Sequence, residues 1–204
     1  CVIMGQNIDR TKAKAEEVTE IARESVLLAI SNSQRMRVLG LLRVNGPMTV
    51  GMISDVTGMA PGSVSFHLKK LFDAGMAEKT DSADGDKRKS WWKANHRSMR
   101  PAPRDDGRIS DAEYTYFQSV AVTYESLYER YLDSVNDLPQ EWREVGLCED
   151  RTFDLTPEET EQMCLELDAV AQKWQQHSSG EQRNTARHNM RKVQIVMQAF
   201  PWIP

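Results

Sequence analysis

Small and apolar residues recur at helical spacing between Lys12 and Ile30. Val18, Ile21, Ala22, Ser25 and Leu28 share one side, and neither Gly nor Pro interrupts. That spacing predicts a first helix. Ser31-Asn32-Ser33 breaks it and offers a cap for a second, from about Gln34 to Val44. Asn45-Gly46-Pro47 reads as a turn. Thr49 can cap a short third helix through Val56 and Thr57. Gly58 follows, then Pro61 at a plausible first helical position, and a fourth helix runs to Ala74 and stops at Gly75. The pattern then changes. Met76–Thr80 and Ser90–Ala94 read as two short strands around the polar turn 81–86. In the second strand, alternation would turn one of Trp91 and Trp92 to the core and the other outward.

Residues 100–107 have the Pro-, Gly- and charge-rich composition of a linker. Beyond them the pattern is helical again. Ser110 and Glu113 match a capping box, and so do Thr156 and Glu159. The helix opened by Ser110 carries Tyr114, Phe117, Ala121, Tyr124, Tyr128, Tyr131 and Val135 as a heptad seam, with Tyr116, Val120 and Leu127 on a second face. The helix opened by Thr156 carries Met163, Leu167, Val170 and Trp174, and Gly180 ends it. A last helix, Gln182–Phe200, would carry Ala186, Met190, Val193, Met197 and Phe200. The expected fold is mainly α with a small β-hairpin wing: a winged helix-turn-helix over 1–100, a linker over 101–109 and a helical domain over 110–204.

Charge divides the chain in the same way. The 204 residues have a formal net charge of −4. Residues 1–32 contribute −1, residues 33–108 contribute +6 and residues 109–204 contribute −9. Contact with a polyanion depends on local potential, because salt screens charge beyond about 8–10 Å. A basic middle inside an acidic molecule therefore keeps a nucleic-acid partner open.

The fourth helix localises that partner. At about 100° per residue, Val64, Leu68 and Leu71 fall within about 60° of one another and form a core stripe. Phe66 lies about 140–160° away, among Gly62, Lys69, Lys70 and Asp73. An aromatic on a polar face suits thymine methyls in a major groove, and Lys69 and Lys70 suit phosphates. Ser63 and Ser65 stand near the helix start, where its N-terminus attracts phosphate. Lys87, Arg88 and Lys89 would flank the hairpin and reach backbone or minor groove.

These segments carry a family resemblance. Asn32-Ser33-Gln34-Arg35-Met36-Arg37-Val38-Leu39 resembles the D-p-x-R-x-x-I/L opening of ArsR-type winged-helix regulators. Residues 49–58 resemble their t-v-x-e-L-a-x-x-l-g helix. Gly62-Ser63-Val64-Ser65-Phe66-His67-Leu68 with Lys69-Lys70-Leu71 and Ala74-Gly75 is similar to their g-t-V-S-y-H-L-r-x-L-x-x-A-G recognition helix. Lys87-Arg88-Lys89-Ser90-Trp91-Trp92-Lys93 resembles the wing of a subgroup with R-x-R-x-W-W-R. Leu155–Glu159 and Phe200-Pro201 resemble C-terminal extensions in that subgroup. The resemblance implies a homodimer that binds double-stranded DNA at a pseudo-palindromic operator and acts as a repressor. The thiol pair of the metal-sensing branch is absent, since no Cys lies between Thr49 and Gly58.

Other chemistry finds little support. Cys1, Cys148 and Cys164 are too few and too far apart for a disulfide framework, and a reducing, cytoplasmic setting is expected. Cys148, Cys164, His177 and His188 lack ligand spacing, so no metal or other cofactor is expected. No phosphate loop, nucleophile motif or paired metal-binding His stands out, so no enzyme activity is expected. No apolar run approaches a membrane span, and charges fill the first thirty residues where a signal peptide would be apolar. The Tyr-rich helix would serve core or dimer contacts, with room for a small-molecule effector, and the first helix, Lys12–Ile30, would share the dimer contacts with it. The competing expectation is a protein-interaction module, with the acidic helical half as its docking domain. It would need a larger apolar patch than one Phe.

Overall fold

In the computed structural model, residues 18–81, 89–179 and 190–204 are described. Strand β1 (Val18–Ile21) is followed by helices α1 (Glu24–Ile30) and α2 (Ser33–Asn45), then by β2 (Met48–Thr49). Helices α3 (Val50–Thr57) and α4 (Pro61–Asp73) come next, then strands β3 (Ala77–Thr80), β4 (Trp91–Ala94) and β5 (Ser98–Pro101). The long helix α5 (Asp111–Ser134) runs into a 3-10 turn at Val135–Asp137. The short α6 (Gln140–Arg143) and the long α7 (Pro157–Ser179) complete the elements. The fold is a mainly helical winged helix-turn-helix with additional C-terminal helices.

Local chemistry explains most boundaries. Asn32 caps α2 by accepting from the Arg35 N–H at 3.0 Å, and Thr49 caps α3 from the Met52 N–H. Helix α4 ends in a Schellman motif. Gly75, at φ 74°, donates its N–H to the Phe72 carbonyl, and the Met76 N–H reaches the Leu71 carbonyl at 2.8 Å. Ser110 and Glu113 form a complete capping box on α5, and Thr156 and Glu159 bond reciprocally at the start of α7.

Strands β3 and β4 pair antiparallel, Ala77 opposite Ala94 and Thr80 opposite Trp91, and β2 pairs with the other edge of β4. The three-stranded order β2-β4-β3 differs from the expected two-stranded hairpin by the short Met48–Thr49 strand. That strand puts Met48 and Thr49 beside Trp92 and Trp91. Both tryptophans are buried, and Trp92 is the one that joins the main core.

The expected helix from Lys12 to Ile30 is corrected over its described part. Residues 18–21 are a strand, and the helix begins only at Glu24. Val18, Thr19 and Ile21 are β-branched, and β1 pairs parallel with β5, Ile21 opposite Pro101. The Ala102 N–H extends this pairing to the Ile21 carbonyl at 3.0 Å. Pro101 therefore closes a strand rather than opening a linker. Residues 12–17 lie outside the described residues.

The chain divides into two units, residues 1–137 and 138–204. In the first, one core joins Leu27, Ile30, Leu39, Ile53, Leu68 and Leu71 with Tyr116, Phe117 and Val120 of α5. The division thus falls well past the segment 101–109, because α5 belongs to the same core as the winged helix. On α5 the buried side is Tyr116, Phe117 and Val120, whereas Tyr114, Tyr128 and Tyr131 of the heptad seam are exposed.

The second unit differs in kind. None of its described residues is buried. Residues 190–204 form no regular element, which corrects the expected helix over its described part; 182–189 lie outside the described residues. An amphipathic helix of this length is marginal in water without a surface to bury its apolar face. No described helix is long and apolar enough to cross a membrane.

Candidate nucleic-acid interface

Helix α4 sorts its side chains as the angular argument requires. Val64, His67, Leu68 and Leu71 are buried, and Gly62, Ser65, Phe66, Lys69 and Lys70 are exposed. Ser63 is half-buried. Phe66 is 52% exposed, a costly placement for a ring that could have joined the core. It is held in place nonetheless. The His67 ring meets it edge-on at 5.5 Å, and the Lys70 ammonium stands 5.7 Å from its centroid. Lys69 pairs with Asp73 at 3.4 Å, one turn further on. That pair is exposed on both sides and therefore weak, so Lys69 can leave it for a phosphate at little cost. A Cβ added at Gly62 would meet nothing within 4 Å. The fold itself does not require glycine there.

The turn before α4 sets the angle at which this face is presented. Gly58 adopts the left-handed conformation at φ 72°, and its N–H reaches the Ser54 carbonyl at 2.8 Å. The Ser54 hydroxyl donates to the Met59 carbonyl at 2.7 Å, and the Met59 N–H donates to Thr57 Oγ1. Arg37 reaches over from α2 and donates to the Thr57 carbonyl at 3.2 Å, closing the end of α3. Burial and the neighbouring Arg130 lower the Arg37 pKa from its ordinary value. Substituting Ala for Gly58 is expected to destabilise the protein by about 1–2 kcal/mol, since a Cβ disfavours that backbone region. Urea unfolding measures it.

His67 fastens α4 to α2. Its Nε2 lies 3.1 Å from Gln34 Oε1. Burial, with a smaller contribution from the Arg35 charge, lowers the His67 pKa below its ordinary 6.5. The unfolded chain therefore takes up this proton more readily than the folded one. Stability is expected to fall as pH drops below 6.5 and to level off below the folded pKa. His67→Gln should remove that component, as thermal unfolding between pH 5 and 8 would show. Sequence patterns did not single out Gln34 and Arg37 as positioning groups, because both act across elements distant in the chain.

Of the three wing cations expected at the hairpin, Lys89 is exposed just before β4, while Lys87 and Arg88 lie outside the described residues. The strands themselves also carry cations. Lys93 pairs with Glu78 across β3 and β4 at 2.9 Å, and the Lys79 ammonium stands 5.5 Å from the Trp92 ring. Phe72, at the far end of α4, packs edge-on against the same tryptophan at 6.1 Å. This contact ties recognition helix and wing together. Among the described residues, no group of three or more His, Cys, Asp and Glu side chains could hold a metal ion.

The family model described as bacterial regulatory protein, arsR family, matches residues 32–79. Among solved structures the chain is similar to Lactococcus lactis ZitR in a C30AH42A mutant apo form. Identity is 18%, with 70% of this chain and 81% of that chain covered at a TM-score of 0.29. It is also similar to wild-type MarR from E. coli, with 16% identity, 72% and 87% coverage and a TM-score of 0.32. YusO from Bacillus subtilis shows 17% identity, 72% and 73% coverage and a TM-score of 0.28. No curated protein matches the chain. The matched span runs from the Asn32 cap of α2 through α4 into β3, so the likeness to the arsR family lies in the helix-turn-helix of residues 32–79, the DNA-binding unit of a transcriptional regulator.

Proposed function

We propose that the protein is a homodimeric repressor that docks α4 in the major groove of a pseudo-palindromic operator. The observation that carries this reading is the exposed face of α4, where Phe66 stands between Ser65 and the cations Lys69 and Lys70. In this reading Phe66 contacts thymine methyls, and Gly62, Ser63 and Ser65 meet bases or phosphates at the helix start. Lys69, Lys70 and the wing residues Lys87, Arg88 and Lys89 neutralise backbone charge. The small Gly62 lets the duplex approach the first turn closely.

Two copies would place their recognition helices about 34 Å apart, one turn of DNA. The exposed side of α5 from Val122 onward supplies the contact between them. Val122, Tyr128, Tyr131 and Leu132 are exposed there, with Tyr128 and Tyr131 stacked at 5.9 Å. The acidic segment 109–204 is repelled by DNA, which leaves the basic head as the docking side.

The test is an electrophoretic shift with the region upstream of the protein's own gene, against an unrelated duplex of equal length. A sharp complex on the upstream fragment that resists competition by the unrelated duplex supports the reading. Equal binding to both, or none at low salt, counts against it.

A further inference from the structure

Helix α7 presents Met163, Leu167, Val170 and Trp174 along one side within about 60°. Met163 is half-buried, and the other three are exposed large apolar residues. The tail of the same unit, residues 190–203, is also apolar and exposed. Val193, Ile195, Val196, Met197, Phe200, Trp202 and Ile203 all face water, Trp202 and Val193 at 72%. Such a concentration of exposed apolar residues in two segments is far from what an isolated acidic domain needs for solubility.

The two segments carry opposite net charge. Helix α7 carries Glu158, Glu159, Glu161, Glu166 and Asp168 against the single cation Lys173. The tail carries Arg191 and Lys192 and no acidic residue. Glu159 and Glu166 lie along one flank of the α7 stripe at about 100° per residue. In the tail Met190, Val193, Met197 and Phe200 recur at 3, 4 and 3, so a helix there would gather them on one face. The single chain leaves both surfaces exposed, so the tail does not cover its own α7. We propose that the apolar stripe of α7 is covered by residues 190–203 of a second copy of this chain, reciprocally, and that the tail becomes helical on docking. The exchange rests on the homodimer proposed above and adds a second contact to it. It explains why a segment with helical periodicity has no regular structure alone: the face it would bury belongs to the other copy. Reciprocal exchange also satisfies two-fold symmetry, since each copy gives a tail and receives one.

The test uses full-length chains and hydrogen exchange read by mass spectrometry, with sedimentation in parallel. One variant carries Val170→Glu and Trp174→Glu, and the other carries Met197→Glu and Phe200→Glu. All four positions are exposed in the single chain, so the head should remain folded. In the unsubstituted protein, tail amides are expected to exchange roughly tenfold or more slowly than in the α7 variant. Gln176→Glu, on the opposite face of α7, should leave that protection intact. An isotopically labelled α7 variant mixed with the tail variant then decides the mode. Its intact tail can dock on the partner's intact α7, so its protection should return. Protection in the unsubstituted protein that fails to return on mixing would mean docking within one chain and would overturn the exchange. An unprotected tail in a sedimenting dimer would overturn the exchange and leave the homodimer standing. A monomer at all concentrations would overturn both.

Discussion

Replacing Tyr116 by Ala is expected to cost about 3–5 kcal/mol, the range for deleting a large ring from a packed interior. Tyr116 has no exposed surface and sits in the core shared by α1, α2, α4 and α5. A loss of that size approaches the whole stability of a typical domain, so the variant should be largely unfolded at 37 °C. Tyr116→Phe should behave oppositely. The hydroxyl is buried and makes no hydrogen bond to a described residue. Burial pushes its pKa up, with the Arg43 charge opposing the shift. Removing a buried, unbonded polar group is neutral or stabilising by about 1 kcal/mol. The same reasoning predicts that a chain ending at residue 109 fails to fold, because it lacks Tyr116, Phe117 and Val120. Urea unfolding of the three proteins checks all of this. A folded, cooperative head without α5 would show that the core does not depend on it.

The second large effect falls on DNA. Phe66→Ala is expected to weaken operator binding by about 1–3 kcal/mol and to relax discrimination at the base pairs it meets. Its cost to stability should be small, because half of the ring is already in water. Lys69→Ala and Lys70→Ala should weaken binding to every sequence alike, since they act on phosphates. Lys70→Ala additionally frees the Phe66 ring from its cation, so it should show some loss of discrimination as well. Binding to a panel of single-base operator variants separates the two behaviours.

Much of the head was legible in the sequence because its determinants are local. Asn32, Thr49, Gly58, Pro61 and Gly75 mark helix ends through their own backbone chemistry, and the structure places helix ends at each of them. The separation of Phe66 from Leu68 and Leu71 is also local, a matter of angle along one helix. What was not legible depends on partners far along the chain. Strand β1 looks helical by spacing until Ser98–Pro101 pairs with it, about eighty residues later. The third strand, Met48–Thr49, pairs with β4 across about forty residues of chain. On α5 two apolar stripes competed, and only contact with α1 and α2 makes the Tyr116 side the buried one. The tail shows the opposite failure: its spacing is helical, but periodicity needs a surface to act upon.

The exposed face of α4 is expected to neutralise and read DNA. The most direct measurement is the salt dependence of operator affinity, followed by fluorescence anisotropy, for the unsubstituted protein and the Lys69→Ala/Lys70→Ala variant. If both lysines contact phosphates, the magnitude of the log–log slope should fall by about 1 for each lysine lost in each copy. An unchanged slope, with affinity equal in both proteins, would contradict the claim and place the DNA elsewhere on the molecule.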